Sequence, residues 1–206
     1  IADISEIVAK FDSKKIVIIK STVPVGFTER NNKKYNNLDF IFNPEFLTEA
    51  NYIQDFKNQE FIILAGEKET CFDLKEIYYR SFPDCKYFIT DYSSAEMIKY
   101  TVNNFLAIKV SFANEIYSFC DSFGIDYKSM IKIAMSDNRI GNSHWSVPGP
   151  DGQYGFGGSC FPKDTASLMH QFKSLDVESY IIKSAINRNL NLDRSKRNKS
   201  VNNLKK

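Results

Sequence analysis

The densest chemistry in the sequence lies in Gly155-Phe-Gly-Gly-Ser-Cys-Phe-Pro-Lys-Asp164. Proline suits the first helical position, where its missing N–H costs nothing, so Pro162 predicts a helix start with Lys163 and Asp164 in the first turn. Cys160 then sits just ahead of the helix, facing unpaired N–H groups and the positive end of the helix dipole. With Lys163 nearby, that setting favours thiolate over thiol, the form that attacks an electrophilic carbon. The glycines let a ligand approach the backbone closely. The plainer alternative is a small buried thiol ahead of a capped helix. A cysteine hydrolase would also need a histidine base, and His144 and His170 are the two histidines of the chain.

Three further groups carry side chains with chemical uses. Lys99 and Asn103 are four residues apart in a helical pattern and share one face. Such a pair can offer a charge to an oxyanion and an amide to a hydroxyl, or can belong to a solvated stripe. Asn43-Pro-Glu-Phe-Leu-Thr-Glu49 and Ser21-Thr-Val-Pro-Val-Gly26 each follow a short apolar run that reads as a strand. Loops at the carboxyl ends of parallel strands are where ligands bind in doubly wound folds. Glu45 and Glu49 would serve there as base and binding residue, or as charges at a helix start. The Ser21 and Thr22 hydroxyls would face a cofactor, or cap the next helix.

The elements that must position these groups follow from periodicity. Apolar, β-branched runs predict strands at 15–20, 38–42, 61–65 and 86–90, with helical stretches at 26–35 and 69–80 and a weak helical turn near 50–56. Ile4, Ile7, Val8 and Phe11 recur at helical spacing ahead of the first strand. Helix and strand in alternation predict a parallel sheet covered by helices. From Ser93, with Ser93 or Ser94 as N-cap and Glu96 in the first turn, one helix of about 30 residues runs to Phe123 without Pro or Gly, and Gly124 closes it. A helix at 127–135 follows, then a Gly/Pro-rich loop over 136–158, a helix from Pro162 to about 175 and another over about 178–192. The tail RSKRNKSVNNLKK reads as frayed. The fold class expected is thus an α/β piece of a doubly wound parallel-sheet domain over 1–91, an all-α domain over 92–195 and a polar tail over 196–206.

Composition narrows the partners. Twenty-seven cationic against 25 acidic residues leave a net charge of +2, which makes no electrostatic case for nucleic acid or an anionic membrane. No apolar run approaches the roughly 20 residues of a membrane helix. The opening IADISEIVAKF lacks the cationic start and apolar stretch of a secretion signal, and four single thiols suit a reducing cytosol, the location expected. Cys71, Cys85, Cys120 and Cys160 stand singly, without the paired spacing of a zinc site or the density of a disulfide framework, and no metal is expected.

Taken in order, STVPVG at 21–26, NPEFLTEA at 43–50, AEMIKYTVNNFLA at 95–107, DNRIG at 137–141 and GFGGSCFPKD at 155–164 resemble the UDP-glucose 6-dehydrogenase family of nucleotide-sugar dehydrogenases. The resemblance spans roughly 15–190 and implies NAD-dependent, two-step oxidation of a UDP-sugar, UDP-glucose rather than the GDP-mannose or N-acetylated relatives. It implies Cys160 as the nucleophile that forms a thiohemiacetal and then a thioester. Lys99 would be the oxyanion partner, Asn103 a substrate ligand and Asp164 a group that orients water or acts as base. Glu45 would be the favoured base, with Thr22 completing the proton network. Phe46, Leu47, Thr48, Gly157, Trp145 and Ser146 would line the sugar site, and Arg139 would reach a sugar nucleotide, in this subunit or in a partner. Ser21, Thr22, Glu49 and Lys163 would lie beside the nicotinamide. A homodimer through the helix 93–123 is implied as well. The family's Gly-rich dinucleotide fingerprint and its UDP-binding domain have no counterpart in these 206 residues. A fragment with little activity of its own, or a non-catalytic dimerisation core, is therefore the expectation.

Overall fold

The computed structural model describes residues 15–48 and 51–197. Residues 1–14, with the helix expected there, and Glu49 lie outside the described residues, as do positions 198–206 of the expected tail. The chain divides into two compact units, 1–101 and 102–206.

The first unit is built on strands β1 (Lys15–Ile19), β2 (Leu38–Phe42), β3 (Phe61–Ala65) and β4 (Lys86–Thr90), which lie in that spatial order. Helix α1 (Phe27–Lys34) links β1 to β2, α2 (Tyr52–Lys57) precedes β3, and α3 (Lys68–Tyr79) links β3 to β4. Both crossover pairs are parallel, with Lys15 opposite Leu38 and Phe61 opposite Lys86. The exception to an all-parallel sheet is at the centre, where β2 meets β3 antiparallel through Phe42 and Ala65. An antiparallel return needs no packed crossover helix, and the six-residue α2 provides little of one.

The central strands read as continuous apolar runs because both their faces are covered. Leu38, Phe40 and Phe42 of β2 pack with Ile19, Val23 and Ala95 on one face. Ile41 packs with Ile62, Leu64, Cys71 and Leu74 on the other. Asp39 alternates onto the Ile41 face and accepts a hydrogen bond from Thr70 Oγ1 at 3.1 Å.

Helix α4 (Tyr92–Phe123) is one unbroken helix of 32 residues. Its N-cap is Asp91, whose carboxylate accepts the Ser94 N–H at 2.8 Å, so the expected serine caps give way to the stronger anionic acceptor. It closes as expected: Gly124 takes φ 77° and Ile125 N–H bonds Cys120 O at 2.9 Å, a Schellman ending. The first turns of α4 pack with the sheet, Ala95 being wholly buried there.

In the second unit, Ala113 and Cys120 of α4 form a core with Tyr127 and Ile131 of α5 (Tyr127–Ala134), and with Trp145 and Val147. A short 3-10 turn (Asn138–Ile140), α6 (Cys160–Ser174) and α7 (Tyr180–Arg188) follow. Helix α7 runs directly into a π-helical segment, Asn189–Arg197, so the polar stretch expected to fray from Arg194 begins as ordered helix.

Candidate functional site

Glu96 was expected to be a first-turn charge. It is instead fully buried and caps a different helix. Its Oε1 accepts Thr28 N at 2.8 Å and Thr28 Oγ1 at 2.6 Å, and its Oε2 accepts Gly26 N at 2.5 Å. The Gly26 and Thr28 N–H groups at the start of α1 are thus satisfied by a carboxylate from α4 rather than by a Ser21 or Thr22 hydroxyl. The two hydroxyls stay in the loop that leaves the carboxyl end of β1, Ser21 exposed and Thr22 half-buried.

The loop after β2 holds a second group of candidates. Glu45 is half-buried, and its Oε1 lies 3.1 Å from Lys20 Nζ, which also donates to Asn43 Oδ1 at 2.8 Å. Lys20 was not expected here, because a lysine closing a strand reads as a solvated end. Lys99 is only 7% exposed, donates to the Glu45 carbonyl and lies 5.0 Å from the Phe46 ring centroid. Phe46 in turn packs on Phe61, ring centroids 5.2 Å apart. Leu47 is half-buried beside it, while Thr48 is exposed and spends both its N–H and its hydroxyl on Asp55.

One turn further along α4, Asn103 is 6% exposed, so Lys99 and Asn103 form no solvated stripe. Asn103 Nδ2 donates to Asp164 Oδ2 at 2.5 Å. Asp164 is wholly buried, and its other oxygen pairs with Lys163 Nζ at 3.1 Å. Helix α6 begins at Cys160, two residues earlier than Pro162 would set it. Pro162 is tolerated at the third position because that N–H is also an orphan of the first turn. Cys160 and Asp164 are consequently one helical turn apart on one face of α6. Cys160 is half-buried, with Ser159 Oγ 3.8 Å from its sulfur.

Among the described residues no hydrogen bond joins Cys160 to a histidine. His170 is exposed, and the His144 ring packs on Phe161 at 5.7 Å. Burial, and then the Lys109 ammonium, hold His144 below its ordinary value. Its Nδ1 is buried without a hydrogen-bond partner among the described residues.

The remaining candidates are scattered. Arg139 is exposed in the 3-10 turn and forks onto Asp137, with Nη2 to Oδ2 at 2.5 Å. Trp145 is 8% exposed in the core, donates to Gly141 O at 2.8 Å and lies under Lys109 Nζ at 4.9 Å. Ser146 is exposed beside it, and Gly157 is half-buried.

What sequence reading missed is the support behind the glycine loop. Asn189 accepts Phe156 N at 2.8 Å and donates to Phe156 O at 2.9 Å. Asn114 accepts Gly155 N at 3.1 Å. Arg194 donates to Phe156 O, Gly155 O and Gln153 Oε1, and pairs with Asp151 at 2.7 Å. The signal available was the glycines themselves. A Cβ on Gly155 would stand 2.2 Å from Asn189 Oδ1, and one on Gly157 would stand 2.4 Å from Arg194 Nη2.

Comparison with known proteins bears on the whole arrangement. Residues 1–83 match the NAD binding domain, and residues 93–191 the central domain, of the UDP-glucose/GDP-mannose dehydrogenases. The chain belongs to that family. Among its relatives in the UDP-glucose/GDP-mannose dehydrogenase family, UDP-glucose 6-dehydrogenase of Rickettsia bellii is 36% identical over 180 residues, covering 84% of this chain and 40% of the relative. UDP-glucose 6-dehydrogenase TuaD of Bacillus subtilis is 35% identical over 184 residues, 85% of this chain and 38% of the relative. The solved UDP-glucose dehydrogenase from Pyrobaculum islandicum superposes with a TM-score of 0.76 at 32% identity, over 85% of this chain and 41% of that one. The chain therefore spans about two fifths of the length of these dehydrogenases. No helix among the described residues is long and apolar enough to cross a membrane.

Proposed function

We propose that this chain carries the catalytic cysteine and proton-handling residues of an NAD-dependent oxidation of UDP-glucose to UDP-glucuronate. The observation that carries the reading is the arrangement of α6. A half-buried thiol at the helix start lies one turn from a buried carboxylate, and that carboxylate is held by Asn103 and Lys163. Buried carboxylates so fixed are used to orient water or move protons.

The residues present fit the nicotinamide-bearing end of NAD. Strands β1 and β2 are adjacent and parallel, and Ser21 and Thr22 offer hydroxyls in the loop beyond the carboxyl end of β1. Ser21 and Thr22 would hold it, joined by Lys163 and Glu49 on family resemblance. When bound, NAD accepts the hydride of each oxidation. The chain's own residues do the rest. Cys160 sulfur adds to the aldehyde carbon as a C–S bond forms, Lys99 balances the oxyanion charge, and Asn103 bonds the sugar. After the second oxidation a water held by Asp164 attacks the thioester carbon. The C–S bond then breaks, the thiolate leaves, and Glu45, with Thr22, takes the proton. Phe46, Leu47, Thr48, Trp145, Ser146 and Gly157 belong to the sugar side, and Arg139 to the nucleotide.

The test is NADH formation from UDP-glucose by the chain and by Cys160→Ala, at protein concentrations that register the low turnover expected of a chain spanning about two fifths of its relatives. Turnover lost in the variant supports the reading, and turnover that survives it overturns it. GDP-mannose and UDP-N-acetylhexosamines in the same assay resolve the substrate. Homodimerisation through α4 is supported by a second observation. Phe105, Phe112 and Phe119 recur every seven residues and are 62%, 51% and 62% exposed. A row of this size is a surface for another helix. Sedimentation of a stable monomer would count against it.

A further inference from the structure

Arg194 and Asn189 lie in the π-helical segment that ends the described chain, and both donate to the Phe156 carbonyl in the loop ahead of Cys160. Asn189 presents its amide to Phe156 as a neighbouring strand would, accepting the N–H and donating to the carbonyl. Arg194 spreads its guanidinium over Phe156 O, Gly155 O, the Gln153 amide and the Asp151 carboxylate. Gly155, at φ 71°, and Gly157 lack side chains where Asn189 and Arg194 fill the space. The segment is itself braced, since wholly buried Asp193 pairs with Arg188 Nε at 3.1 Å.

We propose that Arg194, with Asn189, is a positioning clamp that fixes the Gly155–Gly157 backbone and thereby the exposure of Cys160. This rests on the reading of Cys160 as nucleophile, but only in its purpose. The clamp itself is a statement about loop geometry. Only a planar fork serves several acceptors in this way, so lysine is no substitute for Arg194. Releasing the loop exposes Cys160 at the helix start without opening the core that holds Cys120.

The test is the rate of iodoacetamide labelling of Cys160 across pH, read by peptide mass on the full chain, with Cys120 of the same unit as internal reference. Cys120 is 2% exposed and reports unfolding of the unit. Arg194→Ala and Arg194→Lys are both expected to speed Cys160 labelling at least about fivefold with Cys120 unchanged. Gly157→Ala, which drives a methyl into the guanidinium site, is expected to do the same. Gly157→Ala combined with Arg194→Ala is expected to match Arg194→Ala alone. Labelling of Cys160 that does not change in Arg194→Ala and Gly157→Ala, or that rises only in step with Cys120, overturns the clamp. Neither result depends on turnover, so a failure of the clamp is distinct from a Cys160→Ala variant that keeps its activity.

Discussion

Replacing Glu96 by alanine should be among the most damaging single changes available in the first unit. The carboxylate is fully buried and receives three donors: Gly26 N, Thr28 N and Thr28 Oγ1. Alanine leaves all three in a space water cannot easily fill. Orphaned buried donors cost about 1–3 kcal/mol each, and loss of a helix cap about 0.5–2. The terms overlap, because the capped N–H groups are two of the three donors. Relaxation of α1 also lets some of them reach solvent. We therefore expect about 3 kcal/mol, a large share of the roughly 5–15 kcal/mol of a domain. Glu96→Gln keeps one acceptor oxygen and turns an amide donor toward the others, so about half that loss is expected. Thr28→Val removes only the hydroxyl and should cost about 1 kcal/mol, less when combined with Glu96→Ala. The assay is urea unfolding followed by circular dichroism, with labelling of Cys71 as the local probe. That thiol is wholly buried against Ile41 and Leu64 in the same unit. A loss under about 1 kcal/mol for Glu96→Ala would refute the view that one carboxylate organises the start of α1, and with it the Ser21–Thr22 loop.

Four further outcomes are expected. In the native chain Cys160 and Cys85 should alkylate and Cys71 and Cys120 should resist; Cys71 is both buried and pushed up to about 11 by burial and by Glu67. Asp164→Asn should lose the Lys163 ion pair and cost about 1–2 kcal/mol by urea titration, with a coupling to Asn103→Ala seen in the double-mutant cycle. His144 is held below 6.5 in the fold, so the unfolded chain binds the proton first as pH falls. Its contribution is intact above about 6.5 and lost as pH drops through the folded value, and His144→Asn, which suits the residue's φ of 65°, should flatten that part of a stability–pH curve. Phe112→Glu with Phe119→Glu should lower the sedimentation coefficient if α4 is the dimer face, while leaving the circular dichroism unchanged.

Much of the scaffold was legible because its signals are local. Apolar runs marked four strands at their observed places, and the absence of Pro and Gly marked α4. Gly124 marked its end. What escaped was decided by groups distant in sequence. The antiparallel meeting of β2 and β3 rests on Phe42 and Ala65, which no periodicity can announce. Glu96 reads as a first-turn charge until its partners, 68 and 70 residues away, are known. Asp91 displaced the serine caps by only two or three residues, a choice that local rules rank but do not decide.

The glycine loop shows the same division within a single motif. GFGGSCFPKD announces close approach to a backbone, and sequence alone assigns that approach to a ligand. For two of its glycines the approaching groups belong to the protein itself: Asn189 stands where a Gly155 side chain would be, and Arg194 where one on Gly157 would be. Gly155, at φ 71° and against Asn189, demands glycine whether or not a substrate is bound, and Gly157 leaves room for the Arg194 guanidinium, so the glycines cannot by themselves be evidence of a ligand site. The chemistry must be argued from Cys160, Asp164 and Asn103: burying a carboxylate is costly unless it is paired, and Asp164 is held by Asn103 and Lys163 one helical turn from the thiol. Arg194 ties the two together: it stands in the stretch that composition marks as a polar tail, and its order is explained by the backbone carbonyls it serves. A tail cut back to residue 193 should therefore change labelling of Cys160 as Arg194→Ala does, although no residue of the motif has been touched.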